Sequence, residues 1–186
     1  LMGAIDNASG ISVILETARK LNVEAKKKVF KDDIVIVAYN AEETGLNGSN
    51  EFMKKYNKKY NKCYNINIDC VGAKKCMELA MGNNDVKSEK LYSAMRELFN
   101  EEGVAYNDNI YATKNGVLRG TSDHQIFRMY GYPSLVLGDD NIIDIVHTNN
   151  DNLDNIDYSD LEKLSEVLFK FISENFYDMN EIKTGN

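Results

Sequence analysis

Short apolar segments alternate with amphipathic helical segments along this 186-residue chain, and this alternation constrains its fold more than any other feature. In some segments the hydrophobic residues recur at helical spacing, and in others they form short continuous runs. Strands that alternate with helices of this length predict an α/β protein whose sheet is covered by helices on both faces.

The same periodicity gives the approximate bounds of each element. Predicted helices cover residues 9–21, 49–57, 88–101, 123–129 and 159–175. Predicted strands cover residues 34–39, 64–69, 77–81 and 133–137, and residues 107–120 are expected to be a loop with a short strand. Because no linker or internal repeat interrupts the pattern, residues 1–186 are predicted to form one unit.

Composition excludes several classes of function. Hydrophobic residues make up 43% of the chain, enough for a substantial core, and the net charge of −7 argues against a nucleic-acid partner. No apolar run approaches the ~20 residues of a membrane-spanning helix. The three cysteines form no Cys-x-x-Cys pair, which favours a reducing compartment, with secretion after loss of a leader as the alternative.

Acidic and imidazole side chains stand where the ends of the predicted elements meet. Asp6 precedes the first helix, Glu42 and Glu43 follow one strand, Asp69 ends another, and His147 follows a third. In α/β sheets, binding sites collect beyond the carboxyl ends of the strands. Because carboxylate oxygens and imidazole nitrogens together suit a cation such as zinc, these residues are candidates for a metal site.

Each candidate also has an ordinary structural interpretation. Asp6 could cap the first helix, and Glu42 and Glu43 could be acids that a helix N-terminus favours. Asp69 could be a turn residue, and His147 a loop residue without a ligand. These alternatives lose weight only when all five residues are considered together.

Five sequence segments carry a more specific signal. They are Gly-Ala-Ile-Asp-Asn-Ala-Ser-Gly at 3–10, Asn-Ala-Glu-Glu-Thr-Gly-Leu-Asn-Gly-Ser at 40–49, Asn-Ile-Asp-Cys-Val-Gly at 67–72, Ser-Asp-His at 122–124, and His-Thr at 147–148 followed by Asp151. Together they resemble the co-catalytic zinc aminopeptidases, the family that includes bacterial leucyl aminopeptidase, aminopeptidase S and aminopeptidase Y. The resemblance extends from the first residues to the final helix, in the family's order.

This resemblance implies a fold, an activity and a role for each site residue. The fold would be a three-layer α/β/α zinc-exopeptidase-like domain with a central mixed sheet, acting on the N-termini of peptides or proteins. Asp6 would bridge two zinc ions, while Glu43 and His147 complete the first site. Asp69 would belong to the second site, and Glu42 would be the general base.

The chain departs from the family pattern at its beginning. Relatives carry another zinc-binding histidine in a His-x-Asp motif upstream of the first segment, and this sequence begins too late to contain it. The resemblance therefore implies the C-terminal larger part of a catalytic domain, without the first strands and with one ligand missing beside Asp69. A sheet truncated in this way is expected either to be poorly stable alone or to self-associate.

Two other functions stay open within the same fold. A single-zinc transferase of the glutaminyl cyclase type would need only the Asp6, Glu43 and His147 set, although Glu42 and Asp69 favour hydrolysis. A non-catalytic receptor-like homologue is the other alternative, and the retained ligands count against it.

The Ser122-Asp123-His124 segment is not interpreted as a serine-hydrolase triad, because consecutive side chains do not face one another. Ser122 and Gln125 are expected to form a capping box. His124 is expected to be a structural or supporting residue that lines the cleft. Asp151 is expected either to orient the His147 loop or to stabilise a turn. Since Val146 stands where many relatives have tyrosine, the oxyanion partner is unassigned; Arg119 is a candidate, although an ordinary surface arginine is favoured.

Overall fold

The computed structural model describes residues 2–60, 62–75, 77–82, 85–109, 113–114, 117–118 and 121–178. The helices are α1 (Gly10–Glu24), α2 (Asn47–Tyr56), α3 (Glu89–Glu101), α4 (His124–Met129) and α5 (Tyr158–Ser173). The strands are β1 (Asn65–Ile68), β2 (Met77–Ala80), β3 (Tyr106–Asn109), β4 (Thr113–Lys114), β5 (Val117–Leu118) and β6 (Ser134–Asp139). Ala4–Ser9 form a π-helical turn and Leu153–Asn155 a 3-10 turn.

Four strands form one mixed sheet in the order β1-β6-β2-β3. β1 pairs with β6 in parallel, β2 pairs with β6 in antiparallel and with β3 in parallel. β4 and β5 form a separate short antiparallel pair. The predicted α/β fold with a mixed sheet is confirmed, with the helix bounds within a few residues of those expected.

The main core lies between the sheet and the helices α1, α3 and α5. On α5 the buried side chains recur at three- and four-residue spacing, which gives the helix one apolar face. This face consists of Leu164, Val167, Leu168 and Phe171. The same cluster includes Leu79 on β2, Leu135 and Leu137 on β6, and Phe99 on α3. A side chain of this size contributes about 1.5–3 kcal/mol when it is fully buried. α2 and α4 pack together around a second cluster, and α4 also contacts β1 and β6.

Residues 34–39, which were expected to form a strand, do not form one. Its backbone is paired with no strand of the described chain, and Ile34, Val35 and Ile36 are 38%, 54% and 43% exposed. Apolar β-branched residues favour an extended backbone, whereas a strand also requires a neighbour that pairs with its N–H and C=O groups. That neighbour is not supplied by the described residues.

The C-terminal end of the 34–39 segment nevertheless packs against two helices. The ring of Tyr39 lies 5.6 Å from that of Phe52 on α2 and 6.4 Å from that of Phe127 on α4, measured between centroids. These contacts fix the point at which the loop carrying Glu42 and Glu43 begins. None of the helices in the described part of the chain is long and apolar enough to span a bilayer.

Candidate metal centre

Three predicted ligands from distant parts of the chain meet at one point. The His147 Nε2 atom lies 2.9 Å from Asp6 Oδ2 and 2.6 Å from Glu43 Oε1. These are hydrogen-bond distances, whereas zinc bonds of 2.0–2.2 Å in a tetrahedral site hold ligand atoms ~3.4 Å apart. Since the side chains would separate by less than about 1 Å to admit an ion, the donor set fits a metal site.

Asp6 also belongs to a second group of potential ligands. One ligand atom each from Asp6, Asp69 and Cys70 lie within 4.8 Å of one another, as do those of the first group. Asp6 is therefore common to both groups, while Glu42 belongs to neither of the two found among the described residues. Sequence reasoning did not identify Cys70, whose Sγ atom lies 3.4 Å from Asp69 Oδ1.

The sheet explains how Asp69 and His147 reach the same region. Asp69 directly follows β1, and its N–H donates to the carbonyl of Leu137 on β6 at 2.9 Å. His147 lies in the loop that follows β6. Because β1 and β6 run in parallel, their carboxyl ends lie at the same edge of the sheet.

Glu42 and Glu43 lie in a closed loop between the 34–39 segment and α2. The amide of Gly48 donates to the carbonyl of Asn40 at 3.0 Å, which joins the two ends of the loop. A Cβ atom at position 48 would overlap that carbonyl oxygen and lie 2.8 Å from the Asn40 nitrogen. Gly48 is therefore the residue that allows this close approach.

The concentration of acids perturbs the ionisation of the site. Burial, followed by the charges of Asp69 and Glu43, raises the pKa of Glu42 to about 7. Burial and the charge of Asp69 also raise the pKa of Asp6. The hydrogen bond that His147 donates to Glu43 raises the pKa of His147, which favours the imidazolium form between the two acids.

Two polar side chains hold Asp69 from the side. The Ser122 hydroxyl donates to Asp69 Oδ2 at 2.5 Å, and the Asn67 amide donates to the Ser122 oxygen at 2.6 Å. The expected capping box is wrong: Ser122 faces Asp69, and Gln125 bonds Ser122 only through its backbone N–H. Contact with a distant strand end decides the Ser122 orientation, which local helix signals do not reveal.

Asp151 connects two segments of the site. Its Oδ1 atom accepts the Ile5 N–H at 2.6 Å, and its side chain is buried. Since Ile5 directly precedes Asp6, this bond fastens the chain beyond His147 to the segment that carries Asp6. This contact favours the expectation that Asp151 orients the His147 loop over the alternative of an ordinary turn residue.

The remaining motif residue, His124, is 3% exposed within α4. Neither of its ring nitrogens, nor the Asp123 Oδ1 atom, has a hydrogen-bond partner in the described part of the protein. This arrangement agrees with the rejection of a serine-hydrolase triad. Arg119, the candidate oxyanion partner, lies outside the described residues.

Comparison with known proteins finds relatives that match nearly the whole length of this chain. Residues 2–172 match the family model described as Peptidase family M28. The aminopeptidase YwaD of Bacillus subtilis is 30% identical over 181 residues, which cover 92% of this chain and 37% of the relative. The solved structure of BSAP, a zinc aminopeptidase from Bacillus subtilis, is 26% identical, with a TM-score of 0.75 over 98% of this chain and 45% of that one.

The chain thus spans less than half the length of these relatives. A glutaminyl cyclase from Porphyromonas gingivalis is also similar, at 22% identity and a TM-score of 0.67 over 93% of this chain and 63% of that one. Identity at this level shows a common fold only, so it does not favour the cyclase alternative.

Proposed function

Because the chain belongs to peptidase family M28, we propose that it carries the metal site and the general base of a zinc-dependent aminopeptidase. The observation that supports this most directly is the convergence of Asp6, Glu43 and His147, with Asp6 also next to Asp69. The family match confirms the resemblance drawn from the sequence motifs.

In this proposal each acid has a distinct task. Asp6, Glu43 and His147 would hold the first zinc ion, and Asp6 would share a second ion with Asp69. Carboxylate oxygens and imidazole nitrogens both bind zinc, and a catalytic site with three protein ligands keeps a position open for water. Zinc, when bound, would acidify a water molecule towards a pKa of ~7 and polarise the scissile carbonyl.

Glu42 would move the proton. It lies beside Glu43 but in neither ligand group of the described residues, so its carboxylate stays available as a base. A pKa raised to about 7 suits a group that must accept a proton from water and then release it to the leaving amine near neutral pH. The division of the Glu42-Glu43 pair into base and ligand is the core of the proposed mechanism.

The charge of the site favours a particular substrate. After burial, the charge of Asp69 raises the pKa of both Asp6 and Glu42, because negative charge gathers at the site. A cationic peptide N-terminus would relieve this repulsion, whereas an acidic group would add to it. The proposed substrates are therefore peptides or proteins with a free α-amino group.

The test uses the protein as its gene encodes it, with zinc content and hydrolysis of aminoacyl chromogenic amides as readouts. Glu42→Gln should keep the metal and lose about 10²–10⁴-fold in kcat, because only the proton-transfer group is removed. Glu43→Gln should lose metal. Glu51→Gln, the same change on the exposed side of α2, is the matched control and should behave like the parent.

The outcomes separate the alternatives. Full activity in Glu42→Gln would refute the role of base, and a parent protein that binds no metal would refute the proposed function. A substrate with N-terminal glutamine should be hydrolysed; its cyclisation would establish the glutaminyl cyclase alternative instead.

A further inference from the structure

Asn7, beside the candidate ligand Asp6, makes contacts that no step of the proposed mechanism uses. Its Nδ2 group donates to the carbonyl of Ile68 at 2.9 Å. Its Oδ1 atom accepts two backbone N–H groups, that of Cys70 at 3.2 Å and that of Gly10 at 3.1 Å. Ile68 and Cys70 are the residues on either side of Asp69, so the Asn7 side chain is hydrogen-bonded to the backbone on both sides of that candidate ligand.

We infer that Asn7 is a positioning residue that fixes the separation of Asp6 and Asp69, and with it the spacing of two metal ions at this site. This inference rests on the proposed function. Asp6 is bonded covalently to Asn7, and Asp69 is held through the hydrogen bonds of its two neighbours. Separation of the backbone at Asp6 from the backbone at Asp69 therefore requires that the Asn7 contacts break.

An amide is suited to this place for a chemical reason. The contact needs a donor towards one carbonyl and an acceptor towards two N–H groups, and asparagine supplies both on a short side chain. It does so without charge. Asp6 and Asp69 already place two acidic side chains here, and a carboxylate at position 7 would add a third.

Gly10 provides independent support, because its lack of a side chain makes room for the Asn7 amide and its hydrogen bonds. A Cβ atom at position 10 would overlap Asn7 Oδ1 and would lie 2.6 Å from the Ile68 carbonyl oxygen. Helix α1 thus begins at a residue small enough for the Asn7 amide to lie between its N-terminus and the end of β1. Gly10→Ala is expected to disturb the same contacts from the other side.

The contact also changes how the first helix is capped. The sequence left open whether Asp6 caps the helix. In the structure it is the Asn7 Oδ1 atom that accepts the Gly10 N–H, while the Asp6 carboxylate faces His147. Capping by Asn7 leaves the Asp6 carboxylate available for a ligand.

The experiment compares the parent protein with Asn7→Ala and Gly10→Ala. Asn22→Ala, the same truncation at an exposed position on α1, is the matched control. The first readout is amide hydrogen exchange at Cys70 in metal-free protein. Exchange should be severalfold faster in Asn7→Ala, which removes the acceptor of this N–H, and in Gly10→Ala, whose methyl group displaces that acceptor. It should be unchanged in Asn22→Ala. Unchanged protection of the Cys70 N–H in Asn7→Ala would refute the inference that Asn7 holds the backbone beside Asp69.

The second readout is titration with cobalt(II), followed by its visible absorption spectrum, which reports the coordination geometry. Asn7→Ala should bind cobalt about 10-fold more weakly, as expected when the support of a metal ligand is removed, and with an altered spectrum. Thermal unfolding identifies any variant that fails to fold, and Gly10→Ala then decides the outcome if Asn7→Ala is unfolded.

The two levels of the proposal fail in different ways. If the parent protein binds cobalt and Asn7→Ala binds it equally well with the same spectrum, only the positioning role is refuted. If the parent binds no cobalt, the proposed function is refuted, and the positioning of metal ions with it.

Discussion

Buried His124 is expected to make the folded protein less stable as the pH falls. Burial, followed by the charge of Arg128, lowers its pKa from 6.5 to about 4. An imidazole in water takes up a proton near pH 6.5, whereas the folded protein keeps His124 neutral until about pH 4. The unfolded chain therefore binds more protons over this range. The contribution of His124 to stability is fully present above pH 6.5 and is lost as the pH falls towards 4.

The size of the effect follows from the shift. Each pKa unit corresponds to about 1.4 kcal/mol, so a shift from 6.5 to about 4 corresponds to about 3 kcal/mol between neutral pH and pH 4. The acids Asp6, Asp123 and Asp139 act in the opposite direction, because burial raises their pKa and acid relieves the cost of their charge. The total pH profile of stability therefore mixes both signs.

A comparison of variants isolates the histidine. Urea unfolding of the metal-free parent and of His124→Leu, repeated from pH 7 to pH 4.5, gives the difference in free energy of unfolding at each pH. Leucine has a similar volume and cannot bind a proton, so the variant should gain about 2–3 kcal/mol relative to the parent on acidification.

The other histidine of the chain, His147, is the control with the opposite sign. Its pKa is raised by the Glu43 hydrogen bond, so its contribution is present at low pH and is lost as the pH rises through the folded-state pKa. His147→Leu should therefore lose stability relative to the parent on acidification. Parallel pH profiles of the parent and His124→Leu would refute the reasoning.

Two further predictions concern the loops of the site. Gly48→Ala should destabilise the protein by about 1–3 kcal/mol in urea unfolding, because the new methyl group overlaps the Asn40 carbonyl; a neutral effect would show that the loop adapts freely. Asp151→Ala should cost about 1–3 kcal/mol by leaving the Ile5 N–H without its buried acceptor, and should weaken metal binding through His147, while Asp151→Asn keeps an acceptor oxygen and should restore most of the loss. Equal stabilities of the alanine and asparagine variants would contradict the second expectation.

The elements that sequence periodicity predicted well are those stabilised by their own side-chain pattern. α5 is an example, since Leu164, Leu168 and Phe171 define a buried face from local spacing alone. The strand predicted at 34–39 is wrong because strand pairing depends on a neighbour that the segment's own sequence does not encode. The two-residue strands β4 and β5 lie below the length at which alternation is detectable.

Residue type and position pointed to Asp6, Glu43, Asp69 and His147, and the structure brings these side chains together. It also shows what spacing in the sequence hides. The roles of Asn7 and Ser122 depend on hydrogen bonds to residues 61 and 53 positions away, respectively. Asparagine and serine are both preferred as simple caps at helix N-termini. Their residue types alone therefore do not distinguish a cap from a side chain that holds Asp69.

The first ligand group joins parts of the chain that are 141 and 104 residues apart. An ion bound to Asp6, Glu43 and His147 would act as a cross-link that closes most of the polypeptide into a loop, much as a disulfide does. Unlike a disulfide, such an ion would dissociate when the chain unfolds, so it would stabilise the folded state by its binding free energy, and its removal would appear as faster unfolding. A site proposed for chemistry would then also hold distant parts of the folded chain together.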